Sequence, residues 1–118
     1  MWEVEFTDEF RVWWDSLTPG EQKSVDAVVR VLRREGPFLG RPYADTVNGS
    51  RHPNMKELRT QHGGRPLRSF FAFDPRRSAI LLIGGDKSGD PRFYERMIPL
   101  ADRLYDDYLE EIRKEGLI

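Results

Sequence analysis

The chain opens on a strict alternation. In "WEVEF" (2–6), Trp2, Val4 and Phe6 fall on one side of an extended segment, and Glu3 and Glu5 on the other. Period-two patterning predicts a half-buried strand at a sheet edge. The period then lengthens. Thr7 is placed to cap "DEFRVWWDSL", where Phe10, Trp13 and Trp14 recur at helical spacing. A second helix opens at "TPGE" (18–21), in which Thr18, Pro19 and Glu21 have the spacing of a capping box with proline in the first turn. Val25, Val28, Val29 and Leu32 give this helix one apolar face. It ends at "REGP", where Gly36 can stop it and Pro37 bars its continuation.

Residues 37–55, beginning "PFLGRPYADTVNGSRHPN", show no period, and their Pro, Gly, Asn and Ser predict a long loop of the kind that is often functional or mobile. Three strands follow. "KELRT" (56–60) directs Leu58 one way and Glu57 and Arg59 the other, and "QHGG" (61–64) forms a turn. "RPLRSFFAFD" (65–74) closes on the Asp74-Pro75 turn. "SAILLIG" (78–84) is continuously apolar, as in a central strand covered on both faces. Two glycines then let the chain leave the strand into "GGDKSG", and Asp90-Pro91 starts a last helix over about 91–114. Its apolar stripe is Met97, Ala101, Leu104, Tyr105, Tyr108 and Ile112. The order β-α-α-β-β-β-α predicts an α+β fold: a small, mainly antiparallel sheet with the N-terminal helices and the C-terminal helix packed on it.

A length of 118 residues fits one domain, 1–118. The chain has no cysteine, which excludes disulfides and thiolate metal sites and makes a reducing cytoplasm the expected compartment. No apolar run approaches the roughly 18 residues of a membrane span, and "MWEVEFTDEF" lacks a signal-peptide core, so neither membrane nor export is expected. The net charge of −1 conceals a division: −3 over 1–40, +5 over 41–96 and −3 over 97–118. Arg outnumbers Lys 15 to 4. A guanidinium presents a planar fork of donors that fits phosphate, so the cationic middle is compatible with a polyanionic partner.

Three chemistries fail on spacing. A P-loop needs Gly before its Lys and another Gly five residues earlier, whereas Lys87 follows Asp86 and the earlier position is Leu81. His52 and His62 form no metal-ligand pattern. Ser69 and Ser88 lack a nucleophile elbow. A phosphodiester site that uses the 2′-hydroxyl of RNA as nucleophile is better served. It needs a base, cations where phosphate charge builds, a donor for the leaving oxygen, and planar groups to hold bases. Arg59 and Arg68 on neighbouring strands, Lys87 beyond the third strand and Tyr94 at the head of the last helix supply those types. Ordinary solvated or paired arginines and a core tyrosine are the competing reading of the same residues.

The segments "MKELR" (55–59), "RPLRSFFAF" (65–73), "AILLIGGDKSG" (79–89) and "FYERMIPLADRLYDDY" (93–108) resemble the RelE/ParE toxin superfamily of type II toxin–antitoxin systems, most closely its phage-derived HigB branch. The resemblance implies a compact α+β domain that cleaves mRNA on the ribosome, leaving a 2′,3′-cyclic phosphate, without metal or cofactor. It implies a cognate helix-turn-helix antitoxin as partner, besides mRNA and ribosome. It assigns Arg68 to the scissile phosphate, Lys87 to the basic loop position and Tyr94 to stacking or proton transfer, as the catalytic set. Arg59, with Lys56, Arg65 and Arg92, falls to RNA binding. Glu57 stands where RelE relatives carry a lysine base, so the base stays open between Lys87 and another residue, with His52 and Asp86 as contributors. A ParE-like gyrase inhibitor and a non-enzymatic binding domain are the alternatives within the same fold.

Overall fold

The computed structural model describes residues 1–118. In chain order it contains β1 (Val4–Phe6), α1 (Asp8–Asp15), α2 (Pro19–Glu35), one 3₁₀ turn (Gly36–Phe38), β2 (Ala44–Thr46), β3 (Lys56–His62), β4 (Arg65–Phe73), β5 (Ala79–Asp86) and α3 (Phe93–Lys114). The five strands form one sheet in the order β1-β5-β4-β3-β2. Only β1 and β5 run parallel; the other three pairings are antiparallel. This is the α+β architecture the patterning predicts, with one strand more.

The caps act as read. Thr7 Oγ1 accepts the Phe10 N–H at 3.0 Å and donates to the Leu82 carbonyl at 2.7 Å, which ties the start of α1 to β5. At α2 the Glu21 N–H donates to Thr18 Oγ1 at 3.2 Å while the Thr18 N–H donates to Glu21 Oε1 at 2.8 Å. Both halves of the capping box are therefore closed, which satisfies two donors that a helix start leaves orphaned.

Each face of the sheet carries its own apolar layer. Phe10, Val25, Val29 and Leu32 of α1 and α2 pack on Leu58, Leu67, Phe71 and Leu81. Phe93, Met97, Ala101, Leu104 and Tyr105 of α3 pack on Phe70, Ala72, Ile80 and Leu82 from the opposite side. Alternate residues of β5 thus enter different layers, which explains its unbroken apolar run. No helix is long and apolar enough to cross a membrane.

Apart from β3, which runs on through Gln61 and His62 and leaves only Gly63 and Gly64 to turn, the structure departs from the sequence reading in three places. The region 37–55 contains a strand: Ala44–Thr46 pairs with Leu58, Glu57 and Lys56. Three residues are too short to show a period, and only Ala44 among them is buried. Second, Gly84 and Gly85 do not leave the strand. They pair with Ser69 and Arg68, and β5 continues to Asp86. A Cβ on Gly84 would lie 2.2 Å from the Trp13 ring, and one on Gly85 would lie 2.8 Å from Phe93. The glycines let α1 and α3 approach the sheet from opposite sides; the turn itself comes after them. Third, α3 starts at Phe93 rather than Pro91. Asp90 Oδ1 accepts the Arg92 N–H at 3.1 Å and closes the turn before the helix.

Candidate functional site

The pairing of β3 with β4 sets Arg59 directly opposite Arg68. Directly paired residues share a face of the sheet, and here it is the α3 face, since Phe70, two residues beyond Arg68, packs on Phe93. Glu57 lies on the same face, two residues before Arg59. Two guanidiniums and one carboxylate therefore meet beneath the first turn of α3.

That turn brings Tyr94 in from above. Its phenol donates to Glu57 Oε1 at 2.7 Å. Glu57 Oε2 lies 3.6 Å from Arg59 Nε and 3.9 Å from Arg68 Nε. Lys87, in the turn between β5 and α3, holds its ammonium 5.4 Å from the Tyr94 ring centroid, within cation–π range. Arg59, Arg68 and Lys87 against Glu57 leave the cluster with excess positive charge.

Burial makes these groups unusual. Arg68 is 5% exposed and Glu57 is also 5% exposed. Arg68 Nη1 donates to the Leu67 carbonyl at 3.2 Å. The Nε donors of both arginines are buried without a hydrogen-bond partner. An unsatisfied buried donor costs roughly 1–3 kcal/mol, so the fold holds two charged donors poised for an acceptor. Burial and then the Glu57 carboxylate push the Tyr94 phenol above its ordinary value, while Arg68 pulls it the other way. Tyr94 is therefore a hydroxyl donor across the neutral range.

Of the residues singled out from sequence, Arg59, Arg68, Lys87 and Tyr94 converge here. Arg92 stands exposed just before α3, with no ion pair of its own. Two others lie elsewhere. Lys56 points through the opposite face, where its ammonium donates to the Pro37 carbonyl at 3.4 Å. Arg65 pairs with Glu21 of α2 and with Asp86 at 3.3 Å, also on that far face. Strand alternation explains both, because Lys56 and Arg65 sit an odd number of residues from Glu57 and Arg68 respectively. His52 Nε2–H donates to Asp106 Oδ1 at 2.7 Å, halfway along α3. Asp86 is held by Arg65 and by the Ser88 N–H; hydrogen bonding from the Ser88 side chain first, then from its N–H and the Arg65 guanidinium, outweighs burial and keeps the carboxyl below the usual range. Neither joins the cluster. The residue that the sequence reading left without a role is Glu57. Its signal was present: a lone acid between Lys56 and Arg59 on a strand, two residues from an arginine.

The chain matches the family described as "Phage derived protein Gp49-like (DUF891)" over residues 12–106. It is 47% identical over 98 residues to the candidate toxin HigB3 of Mycobacterium tuberculosis (strain ATCC 25618 / H37Rv), covering 82% of this chain and 84% of that one. It is 42% identical over 106 residues to the candidate toxin HigB2 of the same organism, covering 88% of this chain and 53% of that longer protein. Among solved structures, the intact E. coli RelBE toxin–antitoxin complex contains a chain that superposes with a TM-score of 0.58 at 10% identity, covering 72% of this chain and 95% of that one. The RelB–RelE antitoxin–toxin complex from Methanococcus jannaschii gives a TM-score of 0.54 at 11% identity, covering 71% and 91%. At such identities these two establish a shared fold. The chain belongs to the phage-derived Gp49-like family, a HigB-type toxin homologue built on the RelE fold.

Proposed function

We propose that this HigB-type toxin is a metal-independent endoribonuclease that cuts mRNA on the ribosome and is held in check by a cognate helix-turn-helix antitoxin. The observation that carries the reading is the closed cluster of Glu57, Arg59, Arg68 and Tyr94, with Lys87 at its rim. The toxin–antitoxin complexes that share the fold support an antitoxin partner.

The reaction needs four roles, and the cluster contains a group for each. The 2′-oxygen attacks phosphorus as its proton departs. Arginine and lysine cations have no acceptor, and the Tyr94 phenol resists ionisation, so Glu57 is the acceptor. Arg59 and Arg68 offer their guanidinium donors to the phosphoryl oxygens as charge accumulates. The bond from phosphorus to the 5′-oxygen breaks, and that oxygen takes a proton from the Lys87 ammonium. The products are a 2′,3′-cyclic phosphate and a 5′-hydroxyl. Tyr94 holds Glu57 in place and offers its ring for a base to stack on.

The test is induction of the protein in cells followed by mapping of RNA ends. Cleaved mRNA that disappears with Glu57→Gln and with Arg68→Ala is expected. Intact mRNA accompanied by chromosomal breaks would replace the nuclease with gyrase poisoning.

A further inference from the structure

The sheet is open at β1. Backbone bonds from Thr7 N–H to Leu81 O and from Ala79 N–H to Glu3 O turn the odd-numbered residues of this strand toward β5. In a parallel ladder the intervening residues face away, so the backbone N–H and C=O groups of Val4 and Phe6 point outward, where no other strand lies. Phe6 is also 56% exposed. Native sheets usually blunt or cover such an edge, because it is a template for another strand.

Two cavities flank the strand, one on each face of the sheet, and they differ in chemistry. On the α3 side, a cleft of about 420 Å3 is lined by the carboxylates of Glu5, Asp8, Glu9, Asp107, Glu111 and Glu115 among apolar residues that include Leu104 and Ile112. Its one basic side chain, Arg76, is already taken up by Glu5, Asp74 and Tyr108. On the α2 side, a groove of about 350 Å3 is lined by Val4, Phe6, Phe10, Trp14, Val29 and Leu81. Of its charged residues, Arg11 is paired with Asp15 and Asp26 with Arg30, while the exposed Arg33 borders it without an ion pair. Phe6 borders both cavities.

We propose that the β1 edge docks an extended segment of a partner protein in which basic and apolar residues alternate. A strand laid beside β1 must send successive side chains to opposite faces. Those on the α3 side meet the carboxylates, which favour lysine or arginine. Those on the α2 side enter the apolar groove and must be aliphatic or aromatic. Val4 and Phe6 offer the main-chain hydrogen bonds, and the two cavities set the sequence preference. The acid lining disfavours nucleic acid, and it disfavours a second copy of this strand, which carries Glu3 and Glu5. β1 lies at the sheet edge with β5 between it and Arg68-bearing β4, so this surface is separate from the proposed cleavage site and its test does not depend on nuclease activity.

The probes are three blocked heptapeptides: KVRIKVR, its acidic counterpart EVEIEVE, and KKRRVVI, which has similar charge but no alternation. Each is titrated into the full chain while backbone amides are followed by NMR. The expected result is saturable binding of the first peptide alone, with shifts and slowed hydrogen exchange centred on Val4 and Phe6. Replacing Asp107 and Glu111 together by lysine should weaken that binding about tenfold, through lost charge complementarity, with the amide spectrum otherwise preserved. Equal binding of the non-alternating peptide would leave only generic charge attraction and overturn the proposal. So would shifts centred away from β1, or no saturable shift up to millimolar peptide.

Discussion

The Tyr94 phenol donates to Glu57 Oε1 at 2.7 Å, joining the first turn of α3 to β3 across the mouth of the candidate site. Glu57 is the acid that also faces Arg59 and Arg68. One carboxylate therefore does two things: it neutralises part of the positive charge of Arg59 and Arg68, and it is the group able to accept a proton there. Substitutions at Glu57 should separate these effects. Glu57→Gln keeps the hydrogen-bonding shape but removes the charge. RNA binding should tighten several-fold, while single-turnover cleavage falls about 10²-fold or more. A purely structural glutamate would instead weaken binding and lower thermal stability together.

Tyr94→Phe removes the hydroxyl and keeps the ring. The Phe70 and Phe93 contacts of the ring are retained, so stability should change by about 1 kcal/mol. Cleavage should fall about tenfold, because Glu57 loses the donor that orients it. A Tyr94→Phe protein with unchanged cleavage would reduce Tyr94 to a packing residue.

Binding to RNA should depend steeply on salt. In the proposed reaction, Arg59, Arg68, Lys87 and Arg92 are the cations that meet phosphate. About four contacts to a single strand predict a slope of about −3 in log K against log salt. Lys87→Ala should flatten the slope by about 0.7, whereas Lys56→Ala, on the other face of the sheet, should leave it unchanged. Fluorescence anisotropy at several salt concentrations reads both.

The glycine pair gives a stability prediction. Gly84→Ala drives a methyl group into the Trp13 ring, an overpacking expected to cost about 1–3 kcal/mol. Combining it with Trp13→Leu should recover part of the loss relative to Trp13→Leu alone. Additive losses in the double variant would show that the contact does not set the cost. Thermal melts of the four proteins provide the comparison.

Acid should loosen the end of the molecule where the β4–β5 turn meets α3. Asp74 has a fully buried side chain. Burial raises its pKa, but hydrogen bonds from Tyr108, the Ser78 backbone and Arg76 outweigh burial and hold the carboxyl below its ordinary value. A folded-state pKa below the unfolded value of about 3.9 means that its contribution is present above pH 4. The contribution is lost as pH falls through the folded-state value. Asp74→Asn should lower stability at pH 7 by roughly 3 kcal/mol, the scale for a broken buried pair, and should reduce the difference between pH 7 and pH 3. An undiminished pH dependence would place the acid sensitivity elsewhere.

Much of this was legible in the chain. Alternation exposed β1, the capping residues Thr7 and Thr18 marked both N-terminal helices, and the unbroken "AILLI" run reported a strand buried on both sides. What escaped was set by partners distant in sequence. Ala44–Thr46 became a strand only because β3 offers it an edge. Gly84 and Gly85 looked like a turn because local sequence does not reveal that Trp13 and Phe93 press on them. Arg65 looked like an RNA contact until α2 supplied Glu21. Glu57 was legible only as an acid standing where relatives carry a lysine, until strand pairing and the α3 packing placed it beneath Tyr94.

The most direct measurement of the central claim is cleavage of an mRNA carrying a single 2′-deoxy nucleotide at the mapped cut site, on programmed ribosomes with purified protein. If the 2′-hydroxyl is the nucleophile, the unmodified message yields a 2′,3′-cyclic phosphate and the modified message is uncut at that position. Equal cutting of both, or a plain 3′-phosphate formed directly from water, would contradict the proposed chemistry.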